Sequence, residues 1–318
     1  MEAVFGHIDQ NLSRFMDELF IVLRQPSISA RWEGVEECAT LVVTAMQQAG
    51  IDARILRMGG RRNGPLVFGE ISHPANSRTL LVYGHIDVQP PEPLDAWSSP
   101  PFEPTIRNGR IYCRGSADNK GQFFCHLKAV ESWLHCHGRV PVNVKFMLDP
   151  EEEVGSPSLR SFVARNRELF HADVAVNSDG PMDASGRPRV CFGNRGVLNI
   201  EVRAKGANQD LHSGNFGGPM PNAAWRLVDF FSTLRKADGT IAIEGFADAI
   251  ATPTATERAM MEAMPFDESQ SLHKYGLTHF APPDGVTYME KIMFRPTLNI
   301  CGIASGYGGE GSKTVIPS

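Results

Sequence analysis

Thr79-Leu80-Leu81-Val82-Tyr83-Gly84-His85-Ile86-Asp87 is an apolar run that meets a glycine and then presents a histidine and an aspartate two positions apart. Residues i and i+2 of an extended chain share a face, so both side chains point into one space. An imidazole is a good zinc ligand through one ring nitrogen, and a carboxylate beside it can fix the other nitrogen. By itself the triplet His-x-Asp reads as an ordinary loop histidine at a strand end. The neighbouring segments decide between the two.

Upstream, residues 11–23 carry apolar side chains at Leu12, Phe15, Leu19, Val22 and Leu23, a helical stripe that Pro26 stops. Residues 35–49 read as a second amphipathic helix closed by Gly50. Short strands are predicted over 52–56 and 65–71. Helices followed by repeated short apolar strands predict an α/β sandwich around a central sheet. In such sheets sites gather at the carboxyl ends of strands, which is where His85 and Asp87 stand.

Downstream, residues 89–104 are proline-rich and read as a rigid surface loop with Trp97 packed beneath it. A glycine-bounded turn then brings Asp118 to the start of a helix over 122–133. There Asp118 reads as an N-cap or as part of a phosphate loop, although the order of glycine and lysine is wrong for the latter. His135-Cys136-His137 resembles a ligand cluster but runs into Gly138-Arg139, a predicted exposed loop, and is read as structural. A strand over 142–148 delivers Asp149-Pro150-Glu151-Glu152-Glu153-Val154-Gly155-Ser156. Three adjacent glutamates repel one another, which an exposed turn tolerates and so does a site holding a cation. A further strand from Val174 leads to Asp179.

Composition narrows the function classes. The 318 residues suffice for about two domains, and the chain is 42% hydrophobic with a net charge of −5. No Lys/Arg stripe stands out beyond the pair Arg61-Arg62, so no nucleic-acid partner is expected. No apolar run approaches about 18 residues, so no membrane partner is expected either. The acidic N-terminus lacks the pattern of a signal peptide, and the six cysteines are scattered without a C-x-x-C pair. Both point to free thiols and a cytoplasmic location.

Separate strand or turn ends thus carry His85 with Asp87, then Asp118, then Glu152 with Glu153, then Asp179. Together they supply nitrogen and oxygen donors, with no cysteine, for one or two divalent metals. Two metals bridged by a carboxylate can activate a water and polarise a carbonyl.

The motifs Tyr83-Gly-His-Ile-Asp-Val88, Gly115-Ser-Ala-Asp-Asn-Lys-Gly121, Glu152-Glu-Val-Gly-Ser156, Asn177-Ser-Asp-Gly180 and Asp210-Leu-His-Ser-Gly-Asn-Phe-Gly-Gly218 follow in order at suitable intervals. This resembles the di-zinc exopeptidase and deacylase family of cytosolic carnosinase, succinyl-diaminopimelate desuccinylase, acetylornithine deacetylase and carboxypeptidase G, in particular its dipeptidase branch. The resemblance implies an α/β catalytic domain over residues 1–193, with a central mixed sheet flanked by helices. It also implies an inserted α+β lid domain over residues 194–318 that makes a homodimer. His85 would bind one metal and Asp87 would orient it. Asp118 would bridge both metals, Asp179 would complete the first, Glu153 would bind the second, and Glu152 would be the general base. His212 would stabilise the oxyanion in the partner's site, where the residues alone suggest a plain loop histidine. Arg295 would hold a substrate carboxylate, or else is a surface or interface arginine. The cofactors implied are two divalent ions, Zn2+ foremost, with Mn2+ or Co2+ also compatible.

Within the second half, strands are predicted over 196–204 and 295–303, and helices over 221–234 and 254–264. The glycine-rich run from Gly306 to Thr314 is a near miss to a phosphate loop and reads as a lid turn. The chain departs from the family pattern at Ser318, inside the lid. The resemblance implies a further strand and helix, the second metal's histidine ligand and a glycine-rich substrate loop, and no histidine here, His273 and His279 included, matches that ligand. The expectation is therefore a fragment or a truncated product with an incomplete second metal site. The function expected is zinc-dependent hydrolysis of the amide of a dipeptide. An N-acyl amino acid deacylase and an inactive truncated product are the alternatives.

Overall fold

The computed structural model describes residues 1–60, 62–180, 182, 186–187, 190–191, 193–280 and 286–318. Arg61, half of the basic pair, lies outside the described residues. The chain divides into two compact units, Met1–Met182 and Asp183–Ser318.

The first unit begins with α1 (Glu2–Arg24) and α2 (Val35–Gln48), followed by β1 (Asp52–Arg57), β2 (Pro65–Ile71) and β3 (Thr79–His85). The hairpin β4 (Thr105–Arg107) and β5 (Arg110–Tyr112) precedes α3 (Lys120–His137) and β6 (Asn143–Asp149). Two short helices, α4 (Leu159–Arg165) and α5 (Arg167–Phe170), lead to β7 (Val174–Asn177). Five strands form one sheet in the order β1-β2-β6-β3-β7. β1, β2 and β6 pair antiparallel, whereas β3 runs parallel to both β6 and β7. The expected mixed central sheet is present.

Alternation along the strands sorts apolar side chains onto the two faces. Val67 and Phe146 join Leu23, Val42, Met46 and Phe123 in a core beneath α1, α2 and α3. The next residue of each strand, Phe68 and Met147, faces the other side and packs with Phe162 of α4 and Phe170 of α5. Parallel pairing places His85 opposite Asp149, so β3, β6 and β7 deliver their carboxyl ends to the same edge. There the first unit's candidate residues meet.

A buried cation ties α3 to the end of α1. Pro26 has no N–H, so the carbonyl of Val22 lacks its normal partner four residues on. Lys120 is fully buried and its Nζ donates to Val22 O at 3.1 Å and Gln25 O at 2.8 Å, closing the C-terminus of α1 from the first turn of α3. Lys120→Met keeps the stem but leaves these carbonyls without their donor. We expect it to lower unfolding free energy by about 2 kcal/mol, measured by urea denaturation; an unchanged midpoint would remove Lys120 from this role.

The second unit contains β8 (Leu211–His212), α6 (Ser213–Phe216), α7 (Ala223–Thr233), α8 (Ala255–Glu262), α9 (Glu268–Tyr275), α10 (Tyr288–Phe294) and β9 (Val315–Ile316). β8 and β9 pair antiparallel, and α8 opens on a capping box between Thr254 and Glu257. The strands expected over 196–204 and 295–303 do not form. Both segments line one cavity of about 1380 Å³ with Leu227 and Phe230 of α7. Neither makes a backbone–backbone hydrogen bond among the described residues. An alternating pattern becomes a strand only when another backbone lies alongside it. Among the described residues, no helix is long and apolar enough to cross a membrane.

Candidate metal centre

His85 is completely buried at the end of β3. Its backbone N–H donates to Asn119 Oδ1 at 3.1 Å. A Cβ on Gly84 would lie 2.6 Å from that same oxygen, so the glycine before the histidine is what lets Asn119 approach. The ring Nδ1 lies 3.0 Å from the carbonyl oxygen of Asp87, which accepts its proton, and 3.4 Å from Asp87 Oδ1. That interaction turns Nε2 toward three carboxylates: Asp118 Oδ1 at 2.9 Å, Asp179 Oδ2 at 3.4 Å and Glu152 Oε2 at 4.0 Å.

Asp87 does more than face the imidazole. It is fully buried, and its Oδ1 and Oδ2 accept the backbone N–H groups of Glu152 at 3.1 Å and Glu153 at 3.0 Å. A single carboxylate therefore ties the histidine strand to the acidic turn. Of the three consecutive glutamates, Glu151 is buried, and its Oε2 accepts the N–H of Ser158 at 3.2 Å. Glu152 and Glu153 are the two that reach the site, and Gln89 donates to Glu153 Oε2 at 2.7 Å. Asp118 is not an N-cap: α3 starts after Asn119 and has no side-chain cap bond.

Two groups of side chains bring one donor atom each within 4.8 Å of one another: His85 with Glu152 and Asp179, and His85 with Asp118 and Glu153. His85 is common to both, so neither group alone reproduces the division of ligands that the resemblance implies. The donors are one imidazole and several carboxylates, with no thiol among them. That chemistry fits a borderline-hard divalent cation, and the electrostatics agree. Glu152, Glu153 and Asp179 are held above the ordinary carboxylate range, first by burial and then by neighbouring acids. Burial lowers the pKa of His85, but Asp87, Asp179 and Glu152 outweigh it and push the ring up to about 9.

In the metal-free protein the folded state therefore holds the His85 proton more tightly than the unfolded chain does. This stabilisation is complete below pH 6.5 and disappears as pH rises through about 9. It is on the order of 3 kcal/mol. We expect the melting temperature of chelator-treated protein to fall across that window, and saturating zinc to flatten the dependence because the metal replaces the proton. A chelated protein that melts at the same temperature throughout would contradict this electrostatic picture.

Other histidines have structural partners. His135 stacks on His7 with ring centroids 4.1 Å apart, and His137 packs on Trp133. His126 Nε2 lies 2.6 Å from Ser178 Oγ, beside Asp179. Trp97 packs in its proline-rich loop, donating from Nε1 to Pro91 O at 2.7 Å. Sequence reasoning missed Asn119, although it adjoins Asp118. It also missed Asp149 and Ser156, which bracket the acidic turn.

In the second unit, His212 caps α6, where its Nδ1 accepts the N–H of Gly214 at 3.0 Å and its Nε2 lies 3.1 Å from Thr314 Oγ1. Arg295 Nη2 donates to Glu290 Oε1 at 2.6 Å, while Arg258 holds the other oxygen at 3.2 Å. Glu290 is buried, and these partners, Arg295 first, hold its carboxyl below the usual range.

The sequence signature of Peptidase family M20/M25/M40 matches residues 81–308. The chain is 30% identical to the Cys-Gly metallodipeptidase dug1 of Schizosaccharomyces pombe, over all of this chain and 70% of that protein. It is 32% identical to the Beta-Ala-His dipeptidase of Rattus norvegicus, over all of this chain and 68% of that protein. A crystal structure of an M20 family metallo-carboxypeptidase from Sulfolobus solfataricus superposes with a TM-score of 0.81 at 32% identity, covering 95% of this chain and 68% of that one. The motifs, the mixed sheet and these similarities lead to one assignment: the chain belongs to Peptidase family M20/M25/M40.

Proposed function

We propose that this protein is a metal-dependent hydrolase that cleaves the amide bond of dipeptides. The observation that carries the reading is the convergence on buried His85 of Asp118, Glu152, Glu153 and Asp179, each from a different strand or turn end or its neighbour. His85, Asp118, Glu153 and Asp179 would hold two divalent ions, with Zn2+ favoured by the mixed nitrogen and oxygen donors. When bound, such ions polarise a carbonyl and lower the pKa of water. Asp87 holds the imidazole and the acidic turn in place. Glu152 takes the proton of the attacking water and passes it to the leaving amine. Its oxygen stands 4.0 Å from His85 Nε2, beside the positions the metal ligands occupy.

Residues 194–318 would form the lid and a homodimer contact, through which His212 would donate to the developing oxyanion. For that, Nε2 would exchange Thr314 for the substrate oxygen. Arg295 would hold a substrate carboxylate. A cytoplasmic location agrees with the free cysteines.

The relatives' names supply the first substrates to try, Cys-Gly and β-Ala-His. Chelator-treated protein should cleave neither, and re-addition of Zn2+, Mn2+ or Co2+ one at a time should restore cleavage and identify the working metal. Cleavage of N-acetyl amino acids in preference to both dipeptides would move the assignment to a deacylase. Activity that survives chelation would remove the metal from the mechanism.

A further inference from the structure

We propose that Asp149 and Ser156 are positioning residues that clasp the ends of the acidic turn and thereby set where Glu152 and Glu153 stand. Asp149 is the last residue of β6 and is fully buried. Its Oδ1 accepts the N–H of Glu151 at 2.9 Å, and its Oδ2 accepts the hydroxyl of Ser156 at 2.6 Å. The hydroxyl of Tyr83 approaches the same oxygen at 3.5 Å. A backbone bond from Ser156 N to Glu151 O at 2.8 Å closes the loop. Asp149 lies in neither ligand group; both of its carboxylate oxygens accept from the turn, Oδ2 also facing Tyr83.

Backbone conformation makes Ser156 the informative position. Gly155 and Ser156 have φ of +86° and +51°. Two successive left-handed residues reverse the chain sharply, and a non-glycine residue adopts that conformation at a cost of order 1 kcal/mol. Glycine would suit position 156 better for the backbone alone. What serine adds is Oγ, and Oγ goes to Asp149. Asp87 grips the same turn from the other side through the N–H groups of Glu152 and Glu153. The turn is thus held between two buried aspartates, one just past the end of β3 and one at the end of β6. Removing the Ser156 hydroxyl takes away the side-chain bond that ties the far end of the turn to Asp149.

For its catalytic consequence this inference rests on the hydrolase reading; the metal and exchange readouts do not. The test compares the full chain with Ser156→Ala and Ser156→Gly. Amide hydrogen exchange over residues 150–157 of the metal-free protein reads the turn directly. Calorimetric titration with zinc reads the ligand geometry, and kcat and KM for a dipeptide read the consequence. We expect the amides of Glu152 and Glu153 to exchange about tenfold faster and zinc to bind about tenfold more weakly, as is typical when a residue behind a ligand is lost. Both variants should behave alike, and kcat should fall with KM nearly unchanged. Wild-type exchange or wild-type zinc affinity in either variant would overturn the clasp. Recovery in Ser156→Gly but not in Ser156→Ala would also overturn it, because the effect would then belong to the backbone. If wild-type protein binds zinc but cleaves no dipeptide, the hydrolase reading fails, while exchange and affinity still decide the clasp. Should Ser156→Ala not fold, the glycine variant, which relieves the strained backbone, carries the test.

Discussion

Glu152→Gln is expected to lose dipeptide hydrolysis by roughly a hundred- to ten-thousand-fold while taking up zinc as the wild type does. Glutamine has nearly the shape of glutamate but cannot accept a proton at neutral pH. The loss would therefore measure proton transfer and not packing. Glu152 Oε2 stands 4.0 Å from His85 Nε2. In the metal-free protein burial, opposed by His85 and reinforced by Glu153 and Asp179, raises its pKa. Glu152 also sits in one ligand-capable group with His85 and Asp179, which is why zinc must be measured alongside the rate. A large loss of activity with zinc retained assigns Glu152 as the base. A parallel loss of zinc would make it a ligand, and full activity in the variant would end its role altogether.

Asp87→Asn is expected to weaken zinc binding by about ten- to a hundredfold and to reduce hydrolysis by a similar factor. The aspartate uses both oxygens as acceptors for the N–H groups of Glu152 and Glu153. An amide offers one oxygen, and its NH2 group would face an N–H. One buried donor would be left unpaired, at a cost of about 1–3 kcal/mol. The turn would shift to relieve it, and the glutamates would move with it. Zinc titration and the melting temperature of the metal-free protein check both effects. If zinc affinity and stability stay at wild-type levels, Asp87 acts on His85 alone or not at all.

Glu152 and Asp87 separate what is local in this sequence from what is not. The run ending in His85 and Asp87 was legible as a strand end with both side chains on one side, because alternation is a local property of extended backbone. The acidic turn after β6 and Asp179 after β7 were legible as further strand ends for the same reason. Their convergence followed only once parallel pairing set His85 opposite Asp149. Asp87 was read as an orienter of His85, yet its carboxylate spends both oxygens on a turn more than sixty residues away. Long-range hydrogen bonds leave no periodic trace in the sequence. Asp149, Ser156 and Asn119 were missed because each looks like a common turn residue until its partner is known.

The sequence alone determined the strand ends, the identity of the donor atoms and the family to which the pattern belongs, since these depend on residue type and short-range spacing. Tertiary structure decided which glutamates face His85, what Asp87 and Lys120 hold, and whether an alternating segment becomes a strand. Residues 196–204 and 295–303 alternate well enough to predict strands, but pairing is a property of two segments, and among the described residues neither makes a backbone–backbone hydrogen bond.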